Sequence, residues 1–138
     1  MPSRTQDLAA VLEANSAFYT AFSQRDAAAM AKLWASHLPV VCVHPGWPPL
    51  LDRADVIQSW QRIFANPDQP DLRQMKERAF LLGDFALVVC LEVLPNATLV
   101  ATNTFARESG SWRMVHHQSS PLSMESLEEE EPPAELRN

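Results

Sequence analysis

Apolar positions recur along this chain first with a helical period and then with a strand period. Leu8, Val11, Leu12, Phe18, Tyr19 and Phe22 fall on one face of a helix over 6–24. Asn15 interrupts that stripe, either as a polar margin or as an amide facing a cavity. Arg25-Asp26 breaks the pattern, and Asp26 suits the N-cap of a second helix. Residues 27–34 have strong helix propensity, with Met30, Leu33 and Trp34 on the apolar side. Val40, Val41, Cys42 and Val43 then read as a short buried strand that ends in His44, and Pro45-Gly46 stops its pairing. After the stiff Pro48-Pro49, Asp52 reads as the cap of a third helix carrying Val56, Ile57, Trp60, Ile63 and Phe64, which Asn66-Pro67 ends.

From residue 72 the period moves towards two. Residues 73–82 make a weak strand with neither face cleanly apolar, and Gly83-Asp84 signals a hairpin. Residues 85–94 form an apolar strand expected to be mostly buried on both faces. Pro95-Asn96 turns into a strand over 98–107, and Glu108, Ser109, Gly110 and Ser111 turn into a last strand over 112–119. Helices followed by a run of hairpins predict an α+β fold: three helices packed on one face of a strongly curved, mostly antiparallel sheet, enclosing a cone.

Length and composition suit one soluble domain, assigned to 1–121. Residues 122–138 are acidic and Pro-containing, and a disordered tail is expected there. That tail carries most of the net charge of −6; elsewhere acidic and basic side chains nearly balance. No basic cluster tracks a phosphate backbone, so nucleic acid is not an expected partner. No apolar run is long enough to cross a membrane, and the first residues lack the apolar core of a secretory signal, so a cytoplasmic protein is expected. Cys42 and Cys90 lie in apolar strands without CxxC spacing and read as buried thiols. No metal or other cofactor is called for.

Three segments carry a family resemblance: residues 17–26, the helix end and its Asp; His44-Pro45-Gly46; and Trp112-Arg113-Met114-Val115-His116-His117-Gln118-Ser119-Ser120. In this order, over 6–120, they resemble the nuclear-transport-factor-2-like superfamily and, within it, the polyketide-cyclase (SnoaL-like) group. The resemblance implies a cone-shaped cavity between sheet and helices, and a homodimer formed through the sheet. Ketosteroid isomerase shares that fold, and its general-base Asp corresponds to His44 here. Its oxyanion-hole Tyr corresponds to Phe18, with Tyr19 about 100° further round the helix. Its protonated Asp falls near Asn103. With imidazole for carboxylate and no phenol at that helix position, steroid isomerisation is not expected.

The same resemblance puts Glu92, Asn103 and His117 on the concave face. A one-residue slip would exchange His116 and His117. Glu92 stands among apolar neighbours, either at an exposed strand end or as a carboxylate inside the cup, oriented against a His. His44, Glu92 and His117 are the candidate catalytic residues. Asn15, Phe18, Tyr19, Trp34, Trp47, Trp60, Asn103 and Phe105 are the candidate ligand-binding residues, although tryptophans in such positions are more often core than ligand platforms. Two functions follow as expectations: binding of a small apolar molecule with cofactor-independent acid–base chemistry of the isomerase, cyclase or hydratase type, or a non-catalytic ligand-binding or homodimeric assembly domain.

Overall fold

In a computed structural model of the protein, which describes residues 2–123, the first helix starts two residues before the apolar stripe suggests. The cause is a capping box. Gln6 N–H donates to Ser3 Oγ at 3.1 Å, and Ser3 N–H donates to Gln6 Oε1 at 2.8 Å. Helix α1 thus spans Arg4–Ser23. It ends with Arg25 in the left-handed region at φ 54, where Arg25 N–H reaches Phe22 O and Asp26 N–H reaches Ala21 O. Asp26 then caps α2 (Ala27–Leu33) through Ala29 N–H at 2.9 Å, as its sequence position suggests. Asp52 does precede α3 (Arg53–Ala65), but its side chain makes no capping bond. The expected cap is present there in position only.

The sheet contains β1 (Val41–Val43), β2 (Arg73–Leu82), β3 (Phe85–Val93), β4 (Thr98–Glu108) and β5 (Ser111–Pro121). Their order is β1-β5-β4-β3-β2. Strands β2 to β5 form the antiparallel meander, while β1 pairs parallel with β5, setting Cys42 beside His117. Strand β3 is not buried on both faces. Ala86, Val88, Cys90 and Glu92 are buried beneath the helices, and the alternate residues are partly or fully exposed on the outer face. One covered face is enough for an antiparallel sheet.

Two bulges break the strand period. On β2, Met75 pairs with Leu91 and Arg78 with Val89, so Lys76 and Glu77 together stand opposite Cys90. Lys76 there adopts φ 58. Gln74 lies inward before this bulge, opposite Glu92; Ala79 and Leu81 lie inward after it. That change of phase is why neither face of this strand looks apolar in the sequence. On β5, Phe105 pairs with Met114 and Thr104 with His116, leaving Val115 as the extra residue. Met114 and His117 are both buried on the inner face as a result.

The core fills the space between this face and the helices. Phe18, Met30, Trp34, Val56, Val88, Phe105 and Met114 are each almost fully buried. Trp34 bridges to Met114, which closes the hairpin end of the sheet. The other end, where Glu92, Leu94, Leu99 and Ser119 lie, stays open.

Candidate functional site

At this open end lies a cavity of about 550 Å3. Its walls are mostly apolar, with Phe18 and Phe22 from α1, Trp60 and Ile63 from α3, and Leu94 and Leu99 from the sheet. His44, Glu92, His117 and Ser119 supply inner polar groups, and Trp47 and Arg62 also line it. Of the residues singled out in the sequence, His44, Glu92, His117, Phe18, Trp47 and Trp60 therefore share one cavity. Asn15, Tyr19 and Asn103 form a hydrogen-bonded layer behind its wall. Trp34 and Phe105 lie in the core near Met114, away from the lining. Phe105 does face inward, but one pair beyond the β5 bulge, at the closed end of the sheet.

His44 sits just past β1, with its ring 4.8 Å from Trp47 and 4.7 Å from Trp60, both edge-on. Its Nε2 is 2.9 Å from Ser59 Oγ. Ser59 has a single hydroxyl proton, which it donates to Val56 O at 2.6 Å. Ser59 Oγ must then accept from His44, so Nε2 carries the proton and Nδ1 is the unprotonated nitrogen. The Cys42 thiol lies 4.0 Å from that Nδ1 and 3.6 Å from Nε2. Burial holds it neutral by pushing its pKa up to about 12.

His117 is fixed by the same logic. Its Nδ1 is 2.6 Å from Asn103 Oδ1. The Asn103 amide donates to Asn15 Oδ1 at 2.8 Å and to Tyr19 Oη at 3.1 Å, which orients its oxygen towards His117. Nδ1 must donate, and Nε2 is left unprotonated. Asn15 passes its own amide proton to Gln74 Oε1 at 2.7 Å. Tyr19 donates to Glu92 Oε2 at 2.7 Å, and Ser119 also bonds that carboxylate. The phenol lacking at position 18 is thus supplied by Tyr19, but its proton goes to Glu92 instead of the cavity.

Burial dominates the electrostatics. It lowers the pKa of His44 to about 4 and that of His117 to about 3, the latter helped by the neighbouring His44 and His116. Both rings, 6.4 Å apart, are neutral at neutral pH. Burial raises the Glu92 carboxyl, against the bonds from Tyr19 and Ser119. Burial also pushes the Tyr19 phenol far above its ordinary value, with the Glu92 charge adding to it. The Trp60 indole N–H is buried and has no partner among the described residues. No three His, Cys, Asp or Glu side chains among those residues group as a metal site.

Ser59, Ser119 and Arg62 were not singled out from the sequence. Ser59 was findable: it interrupts the α3 stripe of Val56, Trp60 and Ile63 just as Asn15 interrupts that of α1.

Residues 11–124 match the SnoaL-like domain family, and the chain belongs to it. A candidate dehydratase of the NTF2-like family from Streptomyces avermitilis is similar at 32% identity and a TM-score of 0.81, over 88% of this chain and 99% of that one. A candidate association domain of calcium/calmodulin-dependent protein kinase type II, from Thiobacillus denitrificans, is also 32% identical, with a TM-score of 0.71 over 80% and 93% of the two chains. F-box protein SKIP8 of Arabidopsis thaliana is 33% identical over 115 residues, or 82% of this chain. The chain spans about half the length of that curated relative.

Proposed function

We propose that this domain binds a small, largely apolar carbonyl compound in the cavity and that His44 and His117 perform cofactor-independent acid–base chemistry on it. One observation carries the reading. Two neutral imidazoles line one apolar cavity, each with one ring nitrogen tied to a buried polar group and the other unprotonated. In a dehydration, His44 Nδ1 takes the proton from the carbon beside the carbonyl. The C–O bond of the β-hydroxyl then breaks, and the proton passes from His44 to the departing oxygen, giving water and a neutral ring. Negative charge beside His44 raises its basicity at that step, offsetting its low resting pKa. His117 orients the hydroxyl, and Asn103, Tyr19 and Glu92 hold His117. The likeness to a candidate dehydratase supports this reaction class.

The test follows formation of conjugated ketone from a panel of β-hydroxy ketones by ultraviolet absorbance. Turnover is expected in the protein and lost in His44→Ala and His117→Ala. Turnover equal in all three would overturn the assignment.

A separate observation favours a non-catalytic, homodimeric assembly or ligand-binding domain. The outer sheet face exposes Met75, Phe80, Leu82 and Phe85, with Leu82 and Phe85 directly paired. The likeness to a candidate association domain fits a sheet-to-sheet dimer. Sedimentation at micromolar concentration is expected to give a dimer that Leu82→Glu dissociates; a monomeric wild-type protein would remove the assembly reading. A reducing, cytoplasmic setting suits the two buried free thiols, and no helix of the described residues is long and apolar enough to cross a membrane.

A further inference from the structure

The charged residues of the cavity lining are two, and they are treated very differently. Glu92 is buried and bonded to Tyr19. Arg62 is exposed on α3, and its guanidinium lies over the Trp47 ring at 5.5 Å from the centroid. That contact holds the cation against an aromatic wall of the cavity. Arg62 makes no hydrogen bond or ion pair among the described residues, where Arg107–Asp7 is the one salt bridge. Arg25, Arg53 and Arg113, by contrast, are each tied to backbone carbonyls. No acid neighbours Arg62 on its own helix: the positions one turn away are Gln58, Ser59, Ala65 and Asn66.

The lining therefore combines an exposed cation with no anionic partner among the described residues, apolar walls, and the buried His44, His117 and Glu92. Resting on the proposed function, we propose that the ligand is an organic anion. Its carboxylate, sulfonate or phosphate pairs with the fork of Arg62. Its apolar body lies against Phe22, Ile63, Leu94 and Leu99, and its reactive polar group reaches His44 and His117. The exposed cation and the buried imidazoles then read different ends of one molecule, so orientation is set by charge. The negative end is kept away from the Glu92 carboxylate, where like charges would repel.

Two fluorescent probes with the same aromatic body separate the contributions: N-phenylnaphthylamine, which is neutral, and anilinonaphthalene sulfonate, which adds one sulfonate. Both are titrated into the full chain, and displacement of the neutral probe by the sulfonate establishes a shared site. The sulfonate is expected to bind about five- to tenfold more tightly, with a preference that falls as salt is raised. Arg62→Gln removes the preference, lowering affinity for the sulfonate more than affinity for the neutral probe. Arg62→Lys keeps part of it, and Arg113→Gln, in a separate basic cluster, keeps all of it. Equal binding of the two probes, or a preference that survives Arg62→Gln, overturns the inference and leaves the apolar cavity reading intact. Failure of both probes to bind overturns the two together.

Discussion

His117 Nδ1 and Asn103 Oδ1 approach to 2.6 Å across neighbouring strands β5 and β4, where the two residues are direct partners. Asn103 is fully buried and also serves Asn15 and Tyr19, so one amide coordinates both halves of the polar layer behind the cavity. Asn103→Leu strands a donor on His117 and acceptors on Asn15 and Tyr19. A loss of about 3 kcal/mol in unfolding free energy by urea titration is expected. Asn103→Asp keeps the shape and puts negative charge beside the ring. The His117 pKa, followed by NMR, should rise from its depressed value.

Stability should fall as the solution is acidified below about pH 6.5. The folded-state pKa values of His44 and His117, about 4 and about 3, lie below the unfolded value. Between those limits the unfolded chain binds more protons, so stability rises with pH and is complete above the unfolded pKa. The loss by pH 4.5 is about 2 kcal/mol per histidine. Glu92, whose pKa is raised by burial, works in the opposite direction from its unfolded value upward. Urea midpoints from pH 4.5 to 7.5 should rise, with a shallower slope in His44→Gln.

Trp60→Phe removes an indole N–H that has no partner among the described residues. The lost packing is partly offset by removing a buried donor without an acceptor. The cost should stay under about 1.5 kcal/mol, in contrast to Asn103→Leu. Urea titration of the two variants side by side would register the difference.

Lys76 occupies the left-handed region in the β2 bulge with its side chain exposed. Glycine tolerates that conformation without the Cβ clash, so Lys76→Gly should raise unfolding free energy by about 0.5–1 kcal/mol. Equilibrium denaturation would show it, and a decrease would contradict the backbone assignment.

The order of elements was legible because it is written in local periodicity. The α1 stripe, the Asp26 cap, the Gly83-Asp84 and Ser109-Gly110 turns and the Asn66-Pro67 stop all act within a few residues. What escaped acts at longer range or against the period. The parallel pairing of β1 with β5 joins positions 41–43 to 116–118, and no local signal reports it. The bulges hide the inner face of β2 and decide between His116 and His117. Convergence of His44, Glu92 and His117 was anticipated through the family resemblance and through polar residues standing in apolar runs. Trp34 and Phe105 share those apolar runs yet lie at the closed end, because parity tells which side of a sheet a residue faces and not how far along it the cavity extends. Ser3 and Ser59 were readable by rules applied elsewhere in the same chain.

The extra residue at Val115 makes β5 a strand with two reading frames. Before it, the positions facing the helices continue the parity of Met114; after it, they take that of His117 and Ser119. Removing this single residue would give a regular strand with every pairing kept: Met114, His117 and Ser119 would still face the helices, and His116 would still stand opposite Thr104 on the outer face. A one-codon deletion here would therefore take out the kink and spare both the core and the cavity lining, whereas forcing the intact strand into a regular ladder would turn His116 inward in place of His117.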